Sequence, residues 1–285
     1  MVVSLGAGAA RPSLIATDLD GTLLDERGRV SVRTKRALQG VWEAGIRTVF
    51  VTARPPRWLV PLEEAVDGHG VVICANGAFV YQVADRQMLW SRGIDCALVV
   101  QLASELRSLL PGAGFAAERT TGAYVDEVFA ELASGDALAV SAGDGLCVYE
   151  QVGPIDEVDG VVGKLLVRAA VLERPGACEE VIGQIARLVG SRAQVAFSGA
   201  LGLAEIGPAG VTKASTLAQW CAQEGISPEQ VWAFGDMPND LPMLEWAGRS
   251  FAVANAHPSV RALAHTTVGA HDADGVAEVL ESLVR

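Results

Sequence analysis

Two short acidic clusters in this chain each follow an apolar run. Asp18-Leu19-Asp20-Gly21-Thr22 follows Ser13-Leu14-Ile15-Ala16-Thr17, and Gly235-Asp236-Met237-Pro238-Asn239-Asp240 follows Val231-Trp232-Ala233-Phe234. Carboxylates at i and i+2 beside a glycine turn can face one pocket, where a cation or a shared proton must relieve their repulsion. Oxygen ligands drawn from two such turns suit Mg2+, which keeps several waters and takes only one or two carboxylates. Each cluster also has a plainer reading on its own. Asp18 and Asp20 fit an Asx-turn or a helix cap, and 236–240 fits a capped helix start, with Pro238 presetting a helical φ. Thr52, just after Thr48-Val49-Phe50-Val51, puts a hydroxyl at another strand end. Lys213, in Gly210-Val211-Thr212-Lys213, opens a helix, where a cation is unwelcome unless an anion answers it.

Those residues need elements to position them, and the first third of the chain alternates strand and helix. Ser13–Thr17 reads as a buried strand. Ser31 caps a helix whose apolar stripe uses Val32, Ala37, Leu38, Val41 and Trp42, with Gly45 as its stop. Ile46 to Val51 is the second strand, Pro55 and Pro56 break it before a helix reaching about Val66, and Val71-Val72-Ile73-Cys74 is the third. Such spacing implies right-handed βαβ crossovers and a parallel sheet. From about Ala84 to Pro208 the pattern turns α+β, with helices over Cys96–Leu110 and Ala177–Val189, a strand at Lys164–Arg168 and turns at 143–145 and 159–160. That stretch reads as an inserted domain. The βα rhythm returns with a helix over Thr212–Glu224, a strand over Gln230–Phe234, a short helix over Asp240–Ala247, a strand over Ser250–Ala254 and a closing helix over Asp274–Val284. In an open parallel sheet the carboxyl ends of the strands carry the site, which is where both acidic clusters fall.

Composition narrows the partners. The 285 residues carry 22 Lys+Arg against 34 Asp+Glu, a formal net charge of −12. That balance argues against a sequence-independent grip on nucleic acid or on an anionic membrane surface. No apolar run is long enough to span a bilayer. The apolar opening, Met1 to Ala10, lacks a basic start and reads as a loose tail rather than a signal peptide. Five scattered cysteines (Cys74, Cys96, Cys147, Cys178, Cys221) without a CxxC pair fit a reducing cytoplasm and no thiolate metal site. His69, His257, His265 and His271 show no metal spacing, and tryptophans such as Trp42 and Trp232 fit core or domain-interface positions.

Taken in order, Asp18-Leu19-Asp20-Gly21-Thr22, Thr52, Lys213 and Gly235-Asp236-Met237-Pro238-Asn239-Asp240 resemble the four motifs of the haloacid dehalogenase superfamily of phosphohydrolases. The long insertion and Asn76-Gly77-Ala78 after the third strand resemble its Cof-type subgroup. The resemblance implies an α/β fold: a Rossmann-like parallel-sheet core with helices on both faces, from 1–83 and 209–285, and an inserted α+β cap, 84–208, that sets specificity. It implies Asp18 as nucleophile and Asp20 as proton donor and acceptor, with Thr52 and Lys213 holding the phosphoryl oxygens. Mg2+ would be held by Asp18, Asp20 (through its main-chain carbonyl) and Asp236, with Asp240 as ligand or outer partner. Asn239, Asn76, Gly77 and Arg54 would line the phosphate site, Arg54 having the alternative of a surface residue before a proline turn. An aspartate at position 20 suits fast turnover of an aspartyl-phosphate; a dehalogenase needs no proton donor there, and an ion pump carries threonine.

The sequence departs from the family's Thr-Gly-Arg at Thr52-Ala53-Arg54, so this turn is expected to use an ordinary backbone conformation. The resulting expectation is a Mg2+-dependent phosphatase acting on a small phosphorylated substrate such as a sugar phosphate. A phosphomutase sharing the Asp18/Asp20 chemistry, and a non-catalytic sensor with a receiver-like acidic pocket, are the alternatives. In the insert, Arg119, Tyr124, Lys164 and Arg168 are candidates for reading a substrate's polar groups.

Overall fold

Leu14–Thr17 (β1) is apolar up to its last residue and buried at every position, as only a strand in a sheet covered on both faces can be. The computed structural model describes residues 11–59, 62, 69–85, 87–133, 151–173, 178–196 and 203–284. The opening tail, the 143–145 turn and Cys147 lie outside them, as does most of the helix expected to reach Val66; Pro56–Trp58 forms a 3-10 turn.

Two compact units divide the chain. The first runs to Ala53, then takes Leu59–Trp90 and everything from Thr212; the second comprises Arg54–Trp58 and Ser91–Val211. In the first unit β1 is followed by β2 (Arg47–Val51), β3 (Val71–Cys74), β4 (Phe79–Gln82) and β5 (Met88–Ser91). In the second lie β6 (Gly114–Arg119), β7 (Gly122–Val125), β8 (Gln151–Val152), β9 (Val162–Arg168), β10 (Ala193–Ala196) and β11 (Leu203–Pro208). β12 (Val231–Gly235), β13 (Arg249–Val253) and β14 (Thr266–Val268) return to the first. Its sheet has the order β14-β13-β12-β1-β2-β3-β4-β5, parallel from β14 to β3 and antiparallel at β3–β4.

The order reverses at β1, which pairs with β2 on one side and β12 on the other. A crevice opens at such a switch point beyond the strands' carboxyl ends. The helix Val32–Glu43 starts where Ser31 accepts a bond from the Thr34 N–H (3.0 Å) and packs against Gly275–Leu283. Its buried face is Thr34, Ala37, Leu38 and Val41. The expected stripe is corrected at its flanks, because Val32 is 66% and Trp42 41% exposed; Trp42 stacks on His69 instead.

The second unit is a six-stranded sheet, β10-β11-β9-β6-β7-β8, antiparallel except at β7–β8. Its main core unites the helix Cys96–Leu109 with Phe115, Ala117, Leu165 and Val167. The expected domain boundaries shift. Residues 84–90 stay with the first unit because β5 extends the first sheet beside β4, and 209–211 stay with the second. Residues 54–58 also belong to the second unit, through contacts made far away in sequence. No helix among the described residues is long and apolar enough to cross a membrane.

Candidate active site

Four neighbouring strands deliver the candidate residues to one edge. Asp236 follows β12, Asp18 follows β1, Thr52 follows β2, and Asn76 lies just beyond β3. The register continues past the strands: Asp18 donates its N–H to Phe234 O (3.0 Å), Thr52 to Ile73 O (2.8 Å), and Asn76 to Thr52 O (3.1 Å). Parallel pairing thus sets the spacing of the loops before any side chain acts.

Lys213 enters from the first residue of the helix Lys213–Gln223, whose Thr212 cap and Ser215 form a reciprocal capping box. Its Nζ donates to Asp18 Oδ1 (2.6 Å) and to Asp240 Oδ1 (2.8 Å), all three residues being buried. The ammonium at this helix start is therefore answered by two carboxylates. Burial works against its charge, but Asp18 and Asp240 outweigh that and hold Lys213 above its ordinary value.

One oxygen from each of Asp18, Asp236 and Asp240 lies within 4.8 Å of the other two. Burial pushes Asp18 well above the usual carboxylate range; Lys213 pulls it back, and Asp240 and Asp236 add to the rise. Asp236 is pushed up to about 6, first by burial and then by Asp240, against Lys213 and the Thr22 hydroxyl. Three carboxylates facing one ammonium leave negative charge that a hard cation would offset. Asn239 Oδ1, on the same loop as Asp236, is buried without a hydrogen-bond donor among the described residues. An oxygen-only donor set with an unanswered amide oxygen fits Mg2+.

Asp240 does more than add charge. Its Oδ2 accepts the N–H groups of Asp236 and Met237 (3.1 Å each) while Oδ1 takes Lys213, so this carboxylate shapes the 236–240 turn. Gly235 is needed there, since a Cβ would sit 2.7 Å from the Cβ of Asp240. Asp20 is exposed, two residues beyond Asp18.

Asn76 adopts φ 56° and ψ 25°, in a left-handed turn shared with Ala75 (φ 48°). Gly77 lets the helix start approach closely: a Cβ there would meet Thr212 O at 2.5 Å, and its carbonyl accepts the Thr216 hydroxyl (2.9 Å). Gly77→Ala is therefore expected to push away the helix start that carries Lys213. We expect a loss of about 2–3 kcal/mol with a drop in activity, read by thermal melting and turnover. Ala53 is not among the positive-φ residues, so this turn does use ordinary backbone. Arg54 is half-buried and belongs to the second unit. The four candidates in the insert are all buried; Arg119 pairs with Asp159, Lys164 with Glu205 (3.2 Å), and Tyr124 lies in the helix-side core.

Sequence reasoning missed two supports. Thr22 Oγ1 donates to Asp236 Oδ1 (3.3 Å), and Asn255 Nδ2 donates to Gly21 O (2.7 Å), bracing the turn after Asp20. Thr22 was visible inside its motif; Asn255 lies in a loop after β13 with no local signal for this contact.

A family model for haloacid dehalogenase-like hydrolases matches residues 15–280. The chain belongs to this family. As a haloacid dehalogenase-like hydrolase it is 27% identical to the 5-amino-6-(5-phospho-D-ribitylamino)uracil phosphatase of Bacillus subtilis, over 95% of this chain and 97% of that one. It is 26% identical to the pyridoxal phosphate phosphatase of Escherichia coli, over 94% and 97%. A solved haloacid dehalogenase-like hydrolase from Bacteroides thetaiotaomicron shares the fold, with TM-score 0.77 at 24% identity over 95% of this chain and 98% of that one.

Proposed function

We propose that this hydrolase is a Mg2+-dependent phosphatase of small phosphate monoesters, working through a phosphorylated Asp18. The observation that carries the reading is Asp18 itself, a buried carboxylate at the switch point whose Oδ1 is held by Lys213 at 2.6 Å. Its Oδ2 accepts no hydrogen bond among the described residues and is the oxygen assigned to attack. As the Asp18 O–P bond forms, the ester P–O bond breaks and Asp20 protonates the departing oxygen. Asp20 then takes a proton from the water that cleaves the acyl phosphate, returning Asp18 and releasing inorganic phosphate.

Asp18 and Asp236, with the Asp20 carbonyl, would hold Mg2+, and Asn239 and Asp240 would support the site. When bound, the ion supplies charge that offsets repulsion between an anionic nucleophile and an anionic ester. Thr52 and Lys213 would hold the equatorial oxygens, whose charge must be stabilised in an in-line transfer. The second unit would act as the cap that selects the leaving group. The names of the two relatives, both phosphatases of small phosphorylated compounds, support this class of substrate.

Hydrolysis of a panel of phosphate monoesters tests the reading. Release of phosphate should require added Mg2+, whereas equal release in excess chelator would contradict it. Mg2+ binding should also depend on pH. Asp236, raised to about 6, is protonated below that value, and the ion needs the carboxylate. Affinity should therefore fall as pH drops through about 6, by up to about ten-fold per pH unit from this carboxylate, and the raised Asp18 adds to the fall. Calorimetric titration at about pH 5 and about pH 7 measures this, and equal affinities would contradict it.

A further inference from the structure

We infer that Arg57 is a positioning residue, whose ion pair with Glu118 straps the segment that follows Thr52. The inference rests on the reading of Thr52 as a phosphate-holding residue. The chain leaves the first unit after Ala53, keeps Arg54–Trp58 in the second unit, and returns at Leu59. A fork helps to hold it there: Arg57 Nε donates to Glu118 Oε2 (2.9 Å) and Nη2 to Oε1 (2.6 Å). The guanidinium also lies over the Trp58 ring, 4.7 Å from its centroid.

Glu118 is 1% exposed and sits on β6 directly opposite Lys164 on β9, which reaches Glu205 Oε2 at 3.2 Å. Arg57, Glu118, Lys164 and Glu205 thus form a row of alternating charge. Breaking a buried pair leaves a charge uncompensated, so the row resists rearrangement.

The tether to Thr52 is short and stiff. Residues 53–57 can reach at most about 18 Å, and Pro55 and Pro56 have fixed φ. A 3-10 turn, closed by Trp58 N–H to Pro55 O (3.1 Å), removes further slack. Displacement of Arg57 therefore bears on the backbone of Thr52, which is itself bonded to Ile73 and Asn76.

An ion pair that merely stabilises the second unit would affect melting alone. The test compares wild type with the neutral pair Arg57→Gln/Glu118→Gln, which removes both charges of the fork together, and with Arg57→Lys, which keeps a cation facing Glu118 and loses only the fork. Backbone hydrogen exchange over residues 50–58 and steady-state kinetics are measured on each full-length chain. The neutral pair should exchange faster over 50–58 and lose about ten-fold in kcat with little change in KM, the pattern of a transition-state contact moved out of place. Arg57→Lys should lose less of both, since a cation still faces Glu118. Unchanged exchange over 50–58, or kcat within two-fold of wild type alongside a lowered Tm, would overturn the strap. If wild type hydrolyses no ester, the phosphatase reading fails, and exchange over 50–58 still decides the strap by itself.

Discussion

Asp18→Asn should lower kcat by about 10^4-fold or more, because an amide of the same shape has no nucleophilic oxygen to offer phosphorus. The same substitution should not destabilise the metal-free protein at neutral pH. Asp18 is raised well above its ordinary value by burial, so its ionisation costs the fold stability as pH climbs from the ordinary carboxylate range toward the raised one. Asparagine removes that cost, and Lys213 keeps Asp240 at 2.8 Å as a partner. The expected result is a dead enzyme that melts no lower than wild type in chelator. Retained turnover would end the covalent account, and a large fall in Tm would show that the carboxylate serves the fold.

Lys213→Met should have the opposite balance, with heavy losses in both properties. The ammonium is 3% exposed and answers Asp18 and Asp240. Removing it leaves two buried carboxylates without their cation, a loss on the order of 3–5 kcal/mol in metal-free protein. Turnover should fall by about 10^2 to 10^3-fold, the scale seen when one preorganised donor to a developing oxyanion is lost. Because Asp18 and Asp240 hold Lys213 above its ordinary value, its stabilising charge persists at every pH below that range and is lost only in strong alkali. Mg2+ offers substitute positive charge, so the Tm gap between wild type and variant should narrow when it is added. A gap that stays the same in Mg2+ and chelator would place the ion away from these carboxylates.

The positions of the acidic clusters at strand ends were more legible than the limits of the two units. Both acidic clusters could be placed at strand ends because each follows an apolar run, and the parallel register then brings Asp18 and Asp236 together. Lys213 was readable from its electrostatically awkward position at a helix start. The β4–β5 hairpin was missed because Phe79–Gln82 and Met88–Ser91 are short and only partly buried, with no Asn-Gly turn between them. Trp42 was misplaced because helical periodicity does not say how wide the buried stripe is. The membership of Arg54–Trp58 in the second unit was invisible for a different reason: Arg57 finds Glu118 across 61 residues, and no local pattern encodes that pairing. The bonds from the Asp236 and Met237 N–H groups to Asp240 Oδ2 likewise exist only once the 236–240 turn has folded.

The central claim is that Asp18 becomes phosphorylated, and it can be tested on the intermediate itself. Protein mixed with a hydrolysed ester and Mg2+, quenched rapidly in acid and digested, should yield the peptide containing Asp18 carrying one phosphoryl group. That group should be lost on brief treatment with alkali or hydroxylamine and be absent from Asp18→Asn. A phosphoryl group on any other residue, or steady hydrolysis with none on Asp18 at any quench time, would contradict the account.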